Sequence, residues 1–179
     1  LYDPMCGSGT ILIEGAMMVH NIAPGVNRYF SAERWDVIDE KVWTDERNRA
    51  RDLVNYDTDF IAYGSDIDEE ALEIAKINAK RAGVERKIKF EKADIRNFEP
   101  KSEKGTVICN PPYGERLLDI EKAQKLYKIM GEKFIKKHGW SYYVISPSEE
   151  FEKEFGRKAD KRRKLYNGMI KCQLFMYFK

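Results

Sequence analysis

Strand-like and helix-like segments alternate along the 179 residues, and that alternation predicts an α/β fold: a Rossmann-like, mostly parallel, doubly wound sheet. Two further signals refine the prediction. A glycine-rich turn, Cys6-Gly7-Ser8-Gly9, follows a strand tip and opens a helix. Near the other end, Asn167-Gly168 separates two strand-like stretches. Asn-Gly in that setting is the strongest short-range hairpin signal, so the sheet is expected to close with a C-terminal antiparallel hairpin.

Leu1 to Pro4 supplies only the tip of the first strand, so the sequence is expected to be a segment of a longer protein, here one domain over 1–179. Thr10 to His20 is apolar on most faces, as a buried helix is, although periodicity alone leaves a strand open. Residues 21 to 57 read as a long insertion holding Pro24-Gly25, the aromatics Tyr29, Phe30, Trp35 and Trp43, and a charged helical stretch from Asp45 to Val54. Phe60 to Gly64 is the next strand. Asp68 caps a helix in which Ala71, Leu72, Ile74, Ala75 and Ile77 keep helical spacing, and Gly83 ends it. Strands follow over Lys87 to Phe90 and Thr106 to Cys109. A helix is predicted from about Asp119 to His138, stopping at Gly139. Ser141 to Ile145 is the next strand, which Pro147 prevents from extending. Lys164 to Tyr166 and Ile170 to Phe178 flank the Asn-Gly turn.

Composition narrows the function classes. Hydrophobic residues make up 42% and charged residues 35%, a globular balance with no apolar run near the roughly 18 residues of a membrane helix. No signal peptide is visible. Cys6, Cys109 and Cys172 are far apart and form no CxxC pair, which argues against zinc or a disulfide framework and suits a reducing cytoplasm. The two histidines, His20 and His138, both fall near helix ends, where capping or surface roles are expected; neither metal nor triad chemistry has enough ligands. From Glu121 onward, 15 Lys and Arg face 7 Asp and Glu, a net of +8, whereas the rest of the chain carries −6. A basic C-terminal third fits a polyanion or, equally, a solvated lysine-rich surface.

Four motifs fall at the carboxyl ends of predicted strands, where ligands bind in open α/β sheets. The first is Asp3-Pro4-Met5-Cys6-Gly7-Ser8-Gly9-Thr10. A dinucleotide fingerprint would need glycine at position 12, which is Leu12, and no GK[ST] follows, so phosphate loops are excluded. The Asp3 carboxylate would repel pyrophosphate and instead suits a cation: the ammonium of a methionine moiety with a sulfonium nearby. In the second, Gly64-Ser65-Asp66-Ile67-Asp68, Asp66 is placed to take both ribose hydroxyls, unless both aspartates are caps. In the third, Asp94 either accepts from an adenine amino group or is an ordinary turn aspartate. The fourth is Asn110-Pro111-Pro112-Tyr113-Gly114. Its prolines fix the backbone and donate nothing, leaving the Asn110 side-chain oxygen and the Pro111 carbonyl as a pair of acceptors. Such a pair can grip both hydrogens of a base amine and stabilise the charge that develops as it attacks. Tyr113 offers a stacking face worth roughly 1–3 kcal/mol per base, and a base within a duplex would have to flip out.

Taken together, Asp3 to Thr10 and Asn110 to Leu117 (NPPYGERL) resemble the THUMP-containing ribosomal RNA large-subunit methyltransferases. The likeness to their catalytic domain runs along nearly the whole chain, through Ile13-Glu14, Ala23-Pro24-Gly25 and Lys164-Leu165-Tyr166-Asn167-Gly168. It implies the S-adenosylmethionine-dependent methyltransferase fold, S-adenosyl-L-methionine as cofactor, 23S rRNA or a pre-ribosomal particle as partner, N2 of a guanine as acceptor, and a THUMP RNA-binding domain ahead of the catalytic one. Neither metal nor membrane is implied. Carried over by position, Asp3, Pro4, Cys6, Gly7, Gly9, Thr10, Asp66 and Asp94 would hold the cofactor. Asn110, Pro111, Pro112 and Tyr113 would act on the base. Glu14 and Arg116 match family positions without an assigned role; Arg116 would meet either a phosphate or Glu115 or Asp119. The insertion's aromatics either pack a local core or help hold RNA, and Lys161-Arg162-Arg163-Lys164 either contacts phosphates or is a solvated face. Three other readings share these motifs: a DNA adenine-N6 methyltransferase, a protein glutamine-N5 methyltransferase, and a non-catalytic RNA-binding module.

Overall fold

The computed structural model describes residues 1–113 and 117–178. Along the chain run β1 (Tyr2–Asp3), α1 (Thr10–Val19), α2 (Glu40–Asp52), β2 (Ala62–Asp66), α3 (Glu69–Arg81), β3 (Ile88–Lys92), β4 (Gly105–Cys109), α4 (Leu117–Lys133), β5 (Trp140–Ser146), α5 (Phe151–Phe155), β6 (Lys161–Asn167) and β7 (Ile170–Tyr177). The strands form one sheet in the order β3-β2-β1-β4-β5-β7-β6. The first five are parallel, and β7 inserts antiparallel between β5 and β6. The predicted doubly wound sheet with its closing hairpin is therefore present.

Two cores lie on its two faces. Leu12, Ile13 and Ala16 of α1 pack with Leu72 and Ala79 of α3 against Ala62 and Ile88. Tyr127 and Met130 of α4, with Phe134 just beyond its end, pack with Phe151 and Phe155 of α5 against Val107, Tyr142, Val144, Phe175 and Tyr177. In β2, Ala62 joins the first core while Tyr63 packs on the second, as a period of two requires. The second core is aromatic: Phe134 stacks on Tyr142 at 5.0 Å, Phe151 on Phe175 at 4.4 Å and Phe155 on Tyr177 at 4.6 Å. Each fully buried ring contributes about 1.5–3 kcal/mol through burial alone. Helix α4 approaches α5 closely enough that a Cβ on Gly131 would stand 1.9 Å from the Phe155 carbonyl oxygen, so this helical position admits only hydrogen.

Several boundaries depart from expectation. The strand expected at 60–64 lies at Ala62–Asp66, because Phe60 turns its ring edge-on to His20 while Gly64 to Asp66 continue the pairing with Phe90 to Lys92. The helix expected to reach His138 ends at Lys133. Beyond it Arg157 donates to the Phe134 carbonyl and the Tyr142 hydroxyl to that of Ile135, so carbonyls beyond the helix end are satisfied without another turn. Gly139 (φ 80°) belongs to the turn into β5 instead. The insertion's helix begins at Glu40, capped by the Asp39 side chain on the Lys41 N–H, a signal the charged pattern hid. Helix α5 had no counterpart in the reading of the sequence.

The hairpin is shifted by one residue. Asn167 pairs with Ile170, so Gly168 (φ 59°) and Met169 form the two-residue loop and Asn167 is the last residue of β6. Glycine at the first loop position is the arrangement of a type II′ turn. In the insertion, Phe30 stacks on Trp43 and Arg47 bridges Glu33, forming a small local cluster; Tyr29, 89% exposed, touches it only through its ring under Arg47 at 5.4 Å, and Trp35 is exposed. His20 ends α1 as expected, but it is fully buried rather than superficial: its Nδ1 lies 3.0 Å from the Asn55 carbonyl, tying the insertion's end to the core.

Candidate functional site

Strand register brings the motifs together. Asp3 pairs with Gly64 on one side of β1, and Tyr2 pairs with Val107 on the other. Asp66 ends β2 and Asn110 follows directly on β4, so Asp3, Asp66 and Asn110 occupy three neighbouring strand tips at one edge, about 4.8 Å apart from strand to strand. Asp94 joins them because the Ala93 N–H donates to the Asp66 carbonyl. Beyond this edge opens a cavity of about 960 Å³ whose wall includes Pro4, Met5, Asp66, Ile67, Asp94, Pro112 and Tyr113, with Ala123, Leu126 and Ile129 of α4 opposite.

The glycine-rich turn is braced from within. Gly9 (φ 82°) enters α1, and a Cβ there would press on Ala75 and Phe90 at 3.1 and 3.2 Å. The Gly7 N–H donates to Asp66 Oδ2 at 2.9 Å, and Asp66 Oδ1 accepts from the Asp68 N–H at 3.0 Å. Each Asp66 oxygen keeps a second lone pair for a ligand. Asp68 caps α3 through the Glu70 and Ala71 N–H groups, as expected, and Asp66 makes no part of that cap. Cys6 is buried beside this turn and Thr10 opens α1 at the surface, its hydroxyl 3.3 Å from that of Ser8.

Asp3 is the electrostatic centre. It is 2% exposed, and among the described residues its carboxylate hydrogen-bonds only to the Met5 N–H, at 3.2 Å. Burial first, then the Asp66 charge, pushes its carboxyl up to about 7, against the pull of that Met5 hydrogen bond. A buried carboxyl with no cationic partner suits a ligand that brings one. Asp94 differs: the Arg96 guanidinium and backbone N–H hold it down at about 2, and its carboxylate is already forked onto Arg96. An adenine amino group would share those oxygens rather than find them empty.

At the acceptor side Pro111 is buried, Asn110 is exposed, and the Tyr113 hydroxyl donates to Asn110 Oδ1. The same hydroxyl accepts from Asn167 Nδ2 at 3.1 Å and contacts the Cys172 thiol at 3.7 Å. Burial is the main cause that raises Tyr113 to about 12, so it stays a donor and not a base. Cys109, adjacent to Asn110, is held well above the ordinary thiol value by burial and by Asp3, and Cys6 is raised to about 12 by burial, Asp3 and Asp66. Neither sulfur is a thiolate nucleophile. Gly114, Glu115 and Arg116 lie outside the described residues, as does the Asp119 side chain, and with them the expected Arg116 contact. Among the described residues no cluster of three His, Cys, Asp or Glu could hold a metal, and no helix is long and apolar enough to cross a membrane.

Of the residues expected to hold a cofactor, Pro4, Asp66 and Asp94 line the cavity, while Asp3, Cys6, Gly7, Gly9 and Thr10 form the strand tip and turn beside it. Of the acceptor residues, Pro112 and Tyr113 line it and Asn110 and Pro111 adjoin them. Met5 and Ile67 also line it and were missed. Ile67 carried a legible signal, an apolar residue between two aspartates that remains 66% exposed.

A strand-tip carboxylate, a glycine turn and an Asn-Pro-Pro-Tyr loop around one cavity on this sheet define a methyltransferase domain. The chain belongs to the RMKL-like methyltransferase domain family (UPF0020), whose profile matches residues 1–175. It is 43% identical over 176 residues to a candidate RNA methyltransferase, YpsC of Bacillus subtilis (strain 168), covering 98% of this chain and 46% of that protein. It is 41% identical to ribosomal RNA large subunit methyltransferase K/L of Shewanella sp. (strain W3-18-1), covering 99% of this chain and 26% of that protein. Among solved structures, SMU.472, a candidate methyltransferase complexed with SAH, superposes with a TM-score of 0.92 at 44% identity, over 99% of this chain and 47% of that one. The chain thus spans half or less of the relatives it matches. S-adenosylmethionine is the cofactor of this domain class, and the buried Asp3, which has no cationic partner among the described residues, and the open space beside Gly7, where a Cβ would meet nothing within 4 Å, fit it.

Proposed function

We propose that this domain transfers a methyl group to an exocyclic amine of an RNA base, N2 of a guanine in 23S rRNA, in the cytoplasm and, in the full-length protein, behind an RNA-binding THUMP domain. The observation that carries the reading is the β1–β4 pairing, which stands Asp3 and Asn110 on adjacent strand tips beside one cavity. When bound, S-adenosylmethionine supplies an electrophilic methyl on a sulfonium. Asp3 would neutralise the ligand's ammonium through the turn, Asp66 would accept from the ribose hydroxyls, Asp94 from the adenine amine, and Ile67 would offer an apolar surface to the adenine. The Asn110 oxygen and the Pro111 carbonyl accept the two hydrogens of the target amine and hold its nitrogen in line. Held there, the nitrogen would attack the methyl carbon that the bound cofactor would supply, with the sulfur as leaving group, and the amine proton would leave along the Asn110 or Pro111 acceptor to water. Neither Cys6 nor Cys109 acts as a nucleophile, since burial keeps both thiols protonated. Tyr113 occupies the Asn110 oxygen in the absence of a base, so an arriving amine displaces that hydroxyl, whose ring then stacks on the base.

The test is transfer of a labelled methyl from S-adenosylmethionine by the full-length protein to unmodified 23S rRNA, duplex DNA and a glutamine-bearing peptide. The expected product is N2-methylguanosine in rRNA alone. Label in N6-methyladenine of DNA, or in a glutamine side chain, would replace the reading by the corresponding rival. Failure to bind S-adenosylmethionine in calorimetry would leave only a binding module.

A further inference from the structure

We propose that the free edge of the sheet, strand β6, is a track for the RNA backbone that delivers the target nucleotide to the acceptor loop; the proposal rests on the RNA methyltransferase reading above. β6 is the terminal strand, and two antiparallel pairings in succession make it run in the direction of the parallel strands. Lys161 therefore stands at their amino end and Asn167 at the carboxyl end, over a span of roughly 20 Å. At the upper end Asn167 donates to the Tyr113 hydroxyl, so the strand touches the acceptor loop directly. At the lower end lies a cleft of about 470 Å³ lined by Lys136, Lys137, Arg157, Lys158 and one carboxylate, Asp160.

The four successive cations of β6 are not equivalent. Arg162 forks onto Glu152 and covers the Phe175 ring at 5.5 Å, so it pins the hairpin to α5. Arg157 is similarly committed, to the Phe134 carbonyl and the Tyr177 ring. Lys161 and Arg163 point to the face opposite Arg162, and among the described residues their side chains make no ion pair or hydrogen bond. Lys164 lies over the Tyr166 ring at 5.2 Å, and Tyr166 is 62% exposed next to Asn167. The exposed edge is thus flanked by Lys161 and Arg163 on one face and by Lys164 and the exposed Tyr166 on the other, with Lys136, Lys137 and Lys158 at its lower end. Cations that follow a phosphate backbone and a ring that stacks bases are the components of a nucleic-acid path.

Lysines on an edge strand also discourage strand addition. That duty needs charge of either sign, whereas the track needs positive charge, and charge reversal separates the two. The experiment is Lys161→Glu/Arg163→Glu/Lys164→Glu in the full-length protein, with binding to unmodified 23S rRNA measured between about 50 and 200 mM salt. The edge stays guarded by charge. The slope of log affinity against log salt should shrink by about three and affinity should fall at least roughly tenfold, with S-adenosylmethionine affinity unchanged. Arg162→Gln should lower the melting temperature and leave the slope alone. A triple variant with wild-type slope and affinity would overturn the track. If the wild type methylates RNA in that case, the activity reading survives alone. If the variant loses the slope but no protein methylates RNA, the track stands and the activity reading falls. A wild type that neither binds nor methylates RNA ends both.

Discussion

The two halves of the sheet differ in charge and in the make-up of their cores. On the β3-β2-β1 side, three carboxylates gather at the strand tips and the covering helices bury small aliphatic side chains. On the β4-β5-β7-β6 side, the core is a stack of aromatic rings and the outer edge is a row of cations. Chain charge follows the same division, −6 up to Ile120 and +8 from Glu121 onward. Such a division would suit the sulfonium cofactor and the RNA substrate proposed above, because a site of one sign would repel one of them. The halves meet at the β1–β4 seam, where Asp3 and Asn110 stand side by side.

Breaking the acceptor side at the seam has the largest expected effect. Asn110→Ala should reduce single-turnover methyl transfer by about 10²–10³. Cofactor affinity, read by calorimetry, should hold, and unaltered turnover would remove Asn110 from the mechanism. Gly131→Ala strikes the same half through packing: the Phe155 carbonyl stands where the methyl must go, so stability should fall by roughly 2–3 kcal/mol in denaturant titration. An unchanged midpoint would mean that α4 and α5 can part without cost.

Asp3→Asn sharpens the contrast from the cofactor side and predicts a pH signature. Its carboxyl is raised by burial from 3.8 to about 7 in the folded chain. Below the unfolded value both states are protonated and no penalty exists. Between 3.8 and about 7 the unfolded chain ionises while the folded chain keeps its proton, so stability is lost as pH rises across that window and levels off above it. The cofactor-free protein should therefore melt lower at pH 7.5 than at pH 5.5 by more than the Asn variant does. The cofactor's ammonium favours the carboxylate, so wild-type affinity should rise with pH through about 7, while the variant binds roughly tenfold to a hundredfold more weakly with a flat profile. Equal pH profiles would show that Asp3 does not meet the cation. The smallest effect is expected from Asn167→Ala, which frees the Tyr113 hydroxyl from the hairpin: a loss of a few-fold to tenfold in turnover, corresponding to one hydrogen bond of about 0.5–1.5 kcal/mol, with cofactor affinity intact.

What could be read along the chain differs between these halves for a physical reason. Asp68 as a cap and Asp66 at a strand tip are short-range features, set by residues within two or three positions, and both appear as expected. The end of α4 was misplaced because the groups that satisfy the carbonyls after it, Tyr142 and Arg157, arrive from elsewhere in the chain. The hairpin turn was found but its register was not. A shift of one residue moves Asn167 from loop to strand and thereby into contact with Tyr113, which no local pattern signals. In the run from Lys161 to Lys164, nothing in composition separates the arginine that braces α5 from the cations left in solvent.

The order of strands and helices, the glycine turn with its carboxylate and the asparagine–proline loop follow from the sequence itself, because backbone propensity and strand-tip chemistry act over a few residues. Which of those groups became neighbours, and how far Asp3 was pushed from its ordinary ionisation, was decided only in three dimensions. Strand register and burial depend on contacts between segments a hundred residues apart, and there Tyr2 finds Val107, bringing an aspartate and an asparagine to one edge.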